Sequence, residues 1–290
     1  MRVTDDHLDA LRTDGFVIVT GFLDDDEVAE AQAALWNEVP HPADYYADPA
    51  AHPPLQESQF AAIRRGPWSS WTLNRLAFHP DLVDAARRFL GSDDLRLYKT
   101  ELWPKYSGGI DHDQVLHRDF GNHSLVVPKA TDPARQLTSF RLLSAVPEAG
   151  GPTTVVPLAD GADVPWWPTR REPGTLRDRE LSVTGPAGTL FLYRTDVLHR
   201  GSAFTGERRA RFAILADYEV WGPRWTGKLA WADRAMSPAW TEMMERATPA
   251  ERGLFGFPAP GDDYWDAQTV RDVGVRYPGM DMTPYREALR

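Results

Sequence analysis

Val115-Leu-His-Arg-Asp-Phe120 places an imidazole and a carboxylate two residues apart among apolar neighbours. Residues i and i+2 of a β-strand project from one face, so a strand here aims His117 and Asp119 at a single point. Two such groups fill part of a metal's coordination sphere and call for a third from elsewhere. The best candidate is His199, in Asp196-Val-Leu-His-Arg-Gly201. Two histidines and one carboxylate on one face, with the remaining positions open, form the ligand set of non-heme Fe(II) oxygenases. A His-x-Asp alone is a weak signal, because it also describes an ordinary satisfied polar pair on a strand. The later histidine strengthens it.

Around this stretch, period-two patterning dominates. Strands are expected at 95–103, 114–120, 123–127, 137–146, 153–157, 180–184, 188–193, 196–200 and 209–220. Many short strands between Pro/Gly turns argue for a β-sandwich or barrel. In Arg208-Arg-Ala-Arg-Phe-Ala-Ile-Leu215, Arg211 stands on an otherwise apolar strand. A guanidinium there is costly unless it meets an anion, and its fork suits a carboxylate. Arg208 and Arg209 read as solvated surface residues. Phe140, sharing a face with Thr138 and Leu142, reads as a core aromatic placed where a cosubstrate floor could be. Asp111, His112 and Asp113 follow Gly108-Gly109 and read as a solvated loop.

Helices flank this β region. Thr4 with Asp5 and Asp6 caps a short helix ahead of the strand Gly15–Thr20. Asp24-Asp-Asp-Glu27 opens a second helix, favourable beside its dipole. Pro80–Leu90 is a third, with Pro in its first turn and Gly91 as its stop. Residues 40–58 read as an irregular surface segment, and 161–179 as a loop over one mouth of the barrel. Ser237–Ala247 and Thr248–Gly253 look helical, and the chain from Phe255 on looks irregular. Trp166, Trp167, Trp221 and Trp225 are candidates for a substrate pocket. The division expected is a single domain, 1–290, with a helical part to residue 92, a β core 93–221 and a helical or irregular part 222–290.

Composition narrows the function classes. A net charge of −10 and no basic stripe argue against a nucleic-acid partner. The absence of cysteine excludes disulfides and thiolate metal sites, which leaves His, Asp and Glu as ligands. No apolar leader and no long apolar run are visible, so a cytoplasmic location without membrane contact is the expectation.

Several motifs, in order, make the chain similar to the phytanoyl-CoA dioxygenase family of Fe(II)/2-oxoglutarate oxygenases, which includes ectoine hydroxylase. They are Gly15-Phe-Val-Ile-Val-Thr-Gly-Phe-Leu23, Leu102-Trp-Pro-Lys105, His117-Arg-Asp119, Gly150-Gly-Pro-Thr-Thr-Val-Val-Pro157, Gly188-Thr-Leu-Phe-Leu-Tyr193, His199-Arg-Gly-Ser202 and Arg211-Phe-Ala-Ile214. The resemblance implies a double-stranded β-helix, a jelly-roll barrel of the cupin type. It implies iron on His117, Asp119 and His199, and 2-oxoglutarate held by Arg211 and Lys105. It also implies dioxygen as co-reactant, release of succinate and carbon dioxide, and hydroxylation of a small or medium organic molecule. Related halogenases carry a small residue in place of the carboxylate, so Asp119 favours hydroxylation over halogenation. The chain departs from the family in reading His-Arg-Gly-Ser for His-Gly-Ser and in lacking Pro-Gly-Ser-His after Pro157. Its arginine is also one residue farther from the histidine, which keeps Arg209 as a second choice.

Other readings compete. A cupin-like isomerase or hydrolase without 2-oxoglutarate, or a non-catalytic small-molecule-binding barrel, would share the strand pattern. His117-Arg-Asp-Phe-Gly121 overlaps two protein-kinase motifs that a kinase keeps apart. Gly222-Pro-Arg-Trp-Thr-Gly-Lys228 has P-loop spacing, but Leu229 stands where the magnesium hydroxyl belongs. Neither is a kinase or nucleotide site.

Overall fold

Local capping starts and stops the helices where the sequence suggests. The Thr4 hydroxyl accepts the His7 N–H and begins Asp5–Asp14, which Gly15 ends in the left-handed conformation at φ 84°. A Cβ at Gly15 would lie 2.3 Å from Val197 Cγ2, so packing as well as φ requires glycine. Asp24 and Glu27 form a reciprocal capping box at the start of Asp25–Leu35. Pro80–Leu90 buries Leu82, Val83, Ala85 and Ala86 and stops at Gly91.

The computed structural model describes residues 2–52, 58–108, 110–120, 136–166, 168–172, 174–220 and 237–289. Among these, the strands are β1 (Phe16–Val19), β2 (Arg64–Arg65), β3 (Leu95–Tyr106), β4 (Leu116–His117), β5 (Gln136–Leu142), β6 (Thr153–Val156), β7 (Arg170–Arg171), β8 (Leu181–Val183), β9 (Leu190–Arg194), β10 (Leu198–Gly201) and β11 (Ala210–Val220). They form two antiparallel sheets, one ordered β1-β9-β5-β11-β3-β2 and the other β7-β4-β10-β6-β8. This is the jelly-roll arrangement expected from the sequence, with two facing sheets that do not close into a continuous barrel.

Apolar residues sort by strand face. The outer face of the larger sheet, through Leu95, Leu97, Leu102, Leu190, Leu192 and Ile214, packs on the flanking helices in the main core. Between the sheets lies a smaller cluster of Val155, Val183, Phe191, Tyr193 and Val197. Leu116, Val156 and Leu198 pack outward against Val164 and Leu176 of the 161–179 segment, which so covers the smaller sheet.

Several expectations are corrected. The strand expected over 114–120 is regular only at Leu116–His117, with single backbone bonds from Gln114 to Gly201 and from Arg118 to Thr169 on either side. β3 runs on past residue 103 to Tyr106 and includes Pro104. Pro104 lies beyond the reach of β2, on an edge where a missing N–H costs little. Residues 40–58 are not uniformly irregular: Pro42–Ala47 is a helix capped by His41, and Tyr45 is buried. Proline and aspartate mark turns, but they also mark first helical turns. Trp71–Leu76 is a helix capped by Ser70. Beyond Phe255, Ala267–Arg276 forms on an Asp266/Thr269 capping box, and Thr283–Glu287 follows. The strand expected at 123–127, Trp167, Trp221, Trp225 and the 222–228 motif lie outside the described residues.

Candidate metal centre

β10 sits in the middle of the smaller sheet with β4 beside it, and their ladder pairs His199 directly with His117. The rings lie 4.4 Å apart, centroid to centroid. Asp119 stands past the end of β4 and reaches back to both. Its Oδ1 is 3.6 Å from His117 Nε2 and 3.5 Å from His199 Nε2. One ligand atom from each of the three residues falls within 4.8 Å of the others, a grouping that can hold one metal ion.

Hydrogen bonds fix the orientation of these groups. His117 Nδ1 donates to the Val115 carbonyl at 2.9 Å, and His199 Nδ1 donates to the Val197 carbonyl at 3.1 Å. A carbonyl only accepts, so each Nδ1 carries the proton and each Nε2 presents its lone pair. Burial pulls His199 down to about 4 against the opposing attraction of Asp119, so the imidazole is a free base at neutral pH. The Tyr193 hydroxyl donates to Asp119 Oδ2 at 2.9 Å, while Oδ1 faces the two imidazoles. Carbonyls and a hydroxyl in these positions fix ligand orientation, as outer partners do at metal sites.

The triad opens on a cavity of about 660 Å³ between the two sheets, lined on the larger sheet by Lys99, Trp103, Phe140, Tyr193, Arg211 and Leu215. Pro168, Thr169 and Arg170 of the 161–179 segment line it as well. Arg211 is 8% exposed, and burial lowers it to about 10. Its Nη1 donates to the Gly151 carbonyl, while its Nε has no hydrogen-bond partner among the described residues. An unpaired guanidinium N–H in a cavity wall fits a carboxylate. Arg209, the second choice, is exposed. Lys105, the other cosubstrate candidate, is buried and paired: its Nζ lies 2.6 Å from Asp111 Oδ1 and donates to the Ser202 carbonyl at 2.7 Å.

Asp111 and Asp113 correct the reading of a solvated loop. They accept the backbone N–H groups of Phe204 and Ala203, tying the lead-in to His117 onto the turn that follows His199. The departure residue Arg200 points away from the triad, buried between Glu180 and Asp113 at 2.6 Å and 3.0 Å. Trp166 packs at a tilt against Phe120, 5.8 Å between ring centres, and is not part of the cavity lining, whereas Trp103 is. Phe140 lines the cavity rather than sitting in a closed core. Sequence reading also passed over Tyr193 and Lys99. Lys99 Nζ is 3.4 Å from both Glu101 and Asp217, and these carboxylates outweigh burial and hold it above its ordinary value. The signal was available, since charges at 99 and 101 break an apolar strand as Arg211 does.

Comparison with known proteins agrees with this geometry. The family model described as Phytanoyl-CoA dioxygenase (PhyH) matches residues 11–213. Similar solved structures include the epimerase SnoN in complex with Fe3+, alpha ketoglutarate and nogalamycin RO. It is 22% identical over 81% of this chain and 90% of that chain, with a TM-score of 0.53. EctD from S. alaskensis with 2-oxoglutarate and 5-hydroxyectoine is 21% identical over 76% of this chain and 77% of that chain, at a TM-score of 0.54. The alpha ketoglutarate dependent carbocyclase SnoK from nogalamycin biosynthesis is 16% identical over 81% and 92%, at 0.53. No curated protein matches the chain. Among the described residues no helix is long and apolar enough to cross a membrane.

Proposed function

The chain belongs to the phytanoyl-CoA dioxygenase family, and from that premise we propose that it is an Fe(II)/2-oxoglutarate-dependent oxygenase that hydroxylates a small or medium organic molecule. The observation that carries this reading is the convergence of His117 Nε2, Asp119 Oδ1 and His199 Nε2 on one point at the wall of the cavity that Arg211 also lines. His117, Asp119 and His199 would hold iron. Arg211 would take the far carboxylate of 2-oxoglutarate through its unpaired Nε, with Lys105 beside it as the second cation. When bound, iron with 2-oxoglutarate and dioxygen supplies an oxidant able to take a hydrogen atom from an unactivated carbon, with succinate and carbon dioxide as co-products.

The chain's own residues do the rest. Tyr193 holds Asp119 in place, and the two backbone carbonyls keep both imidazoles in the coordinating tautomer. The larger-sheet wall, with Trp103 and Phe140 beside the charged Lys99, would seat a substrate that is partly apolar. A volume of about 660 Å³ falls within the usual range for small-molecule sites. In this reading residues 1–290 serve one site, with the helices buttressing the larger sheet.

Anaerobic addition of Fe(II) and 2-oxoglutarate should produce a weak visible charge-transfer band, and aerobic turnover should release succinate. No band and no succinate would return the chain to a cupin-like isomerase, a hydrolase or a simple binder. SnoN is an epimerase and SnoK a carbocyclase, so product mass decides the outcome class. Gain of one oxygen atom means hydroxylation. An unchanged mass means epimerisation, and a loss of two hydrogens means ring closure or desaturation.

A further inference from the structure

Two cations stand side by side on the larger sheet, Arg211 in the cavity wall and Lys105 beside it. Lys105 on β3 and Arg211 on β11 are opposite one another in the ladder, and each is 8% exposed. Directly opposed like charges destabilise a sheet, the more so when buried. Burial lowers Lys105, and the charge of Arg211 lowers it further. Asp111 relieves the pair directly, and the charge of Asp113 adds to it. Asp111 Oδ1 lies 2.6 Å from Lys105 Nζ, and Asp111 Oδ2 accepts the Phe204 N–H at 2.7 Å. The rest of the lysine is also committed, donating to the Ser202 carbonyl and lying 5.1 Å from the centre of the Phe204 ring. Arg211 keeps its Nε unpaired.

We infer that Asp111 is an internal counter-anion that sets the affinity for the cosubstrate: it pairs directly with Lys105 and leaves Arg211 as the cation of the two without a contact carboxylate, open to an incoming dicarboxylate. The inference rests on the reading that Arg211 holds 2-oxoglutarate. It makes Asp111 a tuning residue acting through Lys105, outside the lining of the cavity. Its other task, clamping the turn after His199, needs an acceptor but no charge, so an asparagine separates the two roles.

The test is equilibrium binding to the Mn(II)-loaded protein, read by calorimetry or tryptophan fluorescence and independent of turnover. Asp111→Asn should bind 2-oxoglutarate at least about tenfold more tightly than wild type, because a full buried charge no longer opposes the ligand. Binding of 2-oxobutyrate, which lacks the far carboxylate, should not tighten. Lys105→Met leaves Asp111 facing Arg211 and should weaken binding by about tenfold. The charge-balanced Asp111→Asn/Lys105→Met pair should return to within about threefold of wild type, and it decides the question if either single variant folds poorly. Weaker or unchanged binding in Asp111→Asn, an equal gain for 2-oxobutyrate, or a double variant as weak as Lys105→Met would each overturn the inference. Mn(II)-loaded wild type that binds no 2-oxoglutarate would instead remove the cosubstrate reading itself.

Discussion

His117 and His199 face each other across one rung of the β4–β10 ladder. The separation of the two imidazoles is therefore set by backbone hydrogen bonding and not by loop conformation. A ladder rung holds its side chains within about 5.5 Å at the Cβ atoms, which suits two ligands of one ion.

His117→Ala and His199→Ala should each abolish Mn(II) binding, measured by titration of the metal's paramagnetic resonance, with circular dichroism unchanged. Among the described residues each imidazole hydrogen-bonds only to its backbone carbonyl, so the fold should tolerate its loss. Wild-type Mn(II) affinity in His199→Ala would sink the triad.

Arg211→Gln should raise the 2-oxoglutarate requirement for succinate release by about tenfold to a hundredfold, the worth of a charge-assisted hydrogen bond. Arg209→Gln should leave it unaltered, because Arg209 is exposed and its hydrogen bonds among the described residues come from its backbone. The reverse pattern would transfer the role to Arg209.

Tyr193→Phe removes one hydroxyl and keeps the ring packed on Phe191 at 4.9 Å. Asp119 Oδ2 loses its donor, so metal affinity should fall by about tenfold. Thermal stability should drop little by comparison. Unchanged metal affinity would show that Asp119 needs no such support.

Glu219 gives a pH signature away from the triad. It is 1% exposed, its Oε2 has no hydrogen-bond partner among the described residues, and burial raises it to about 7 from 4.5. A carboxyl with a raised folded-state value binds more protons when folded. Its stabilising contribution is therefore complete below pH 4.5 and is lost as pH rises through 7, by at most about 3 kcal/mol. Glu219→Gln should raise the melting temperature at pH 8 and flatten its dependence between pH 4.5 and 7. A parallel offset across the whole range would mean that Glu219 does not titrate there.

Much of the fold was legible because its signals are local. Alternation in 210–220 and the caps at Thr4, Asp24 and Gly91 follow from backbone sterics within a few residues. The helices at 42–47 and 267–276 were missed because their capping residues also mark turns. Residue type alone pointed to His117, Asp119, His199 and Arg211, since buried charge and imidazole on apolar strands need a reason.

The sequence by itself determined the strand-rich class, the order of the family motifs and the kinds of side chain available to grip a metal and an anion. Tertiary structure alone decided that Asp119 reaches back from beyond its strand and that Tyr193 anchors it. It also decided that Lys99 and Trp103, and not Trp166, form the cavity wall, and that Asp111 pairs with Lys105. The physical reason is range. Periodicity and caps are written in steric preferences between near neighbours. The partner of a buried charge depends on strand register and on which turn packs against which, and those are settled by the free energy of the whole assembled core.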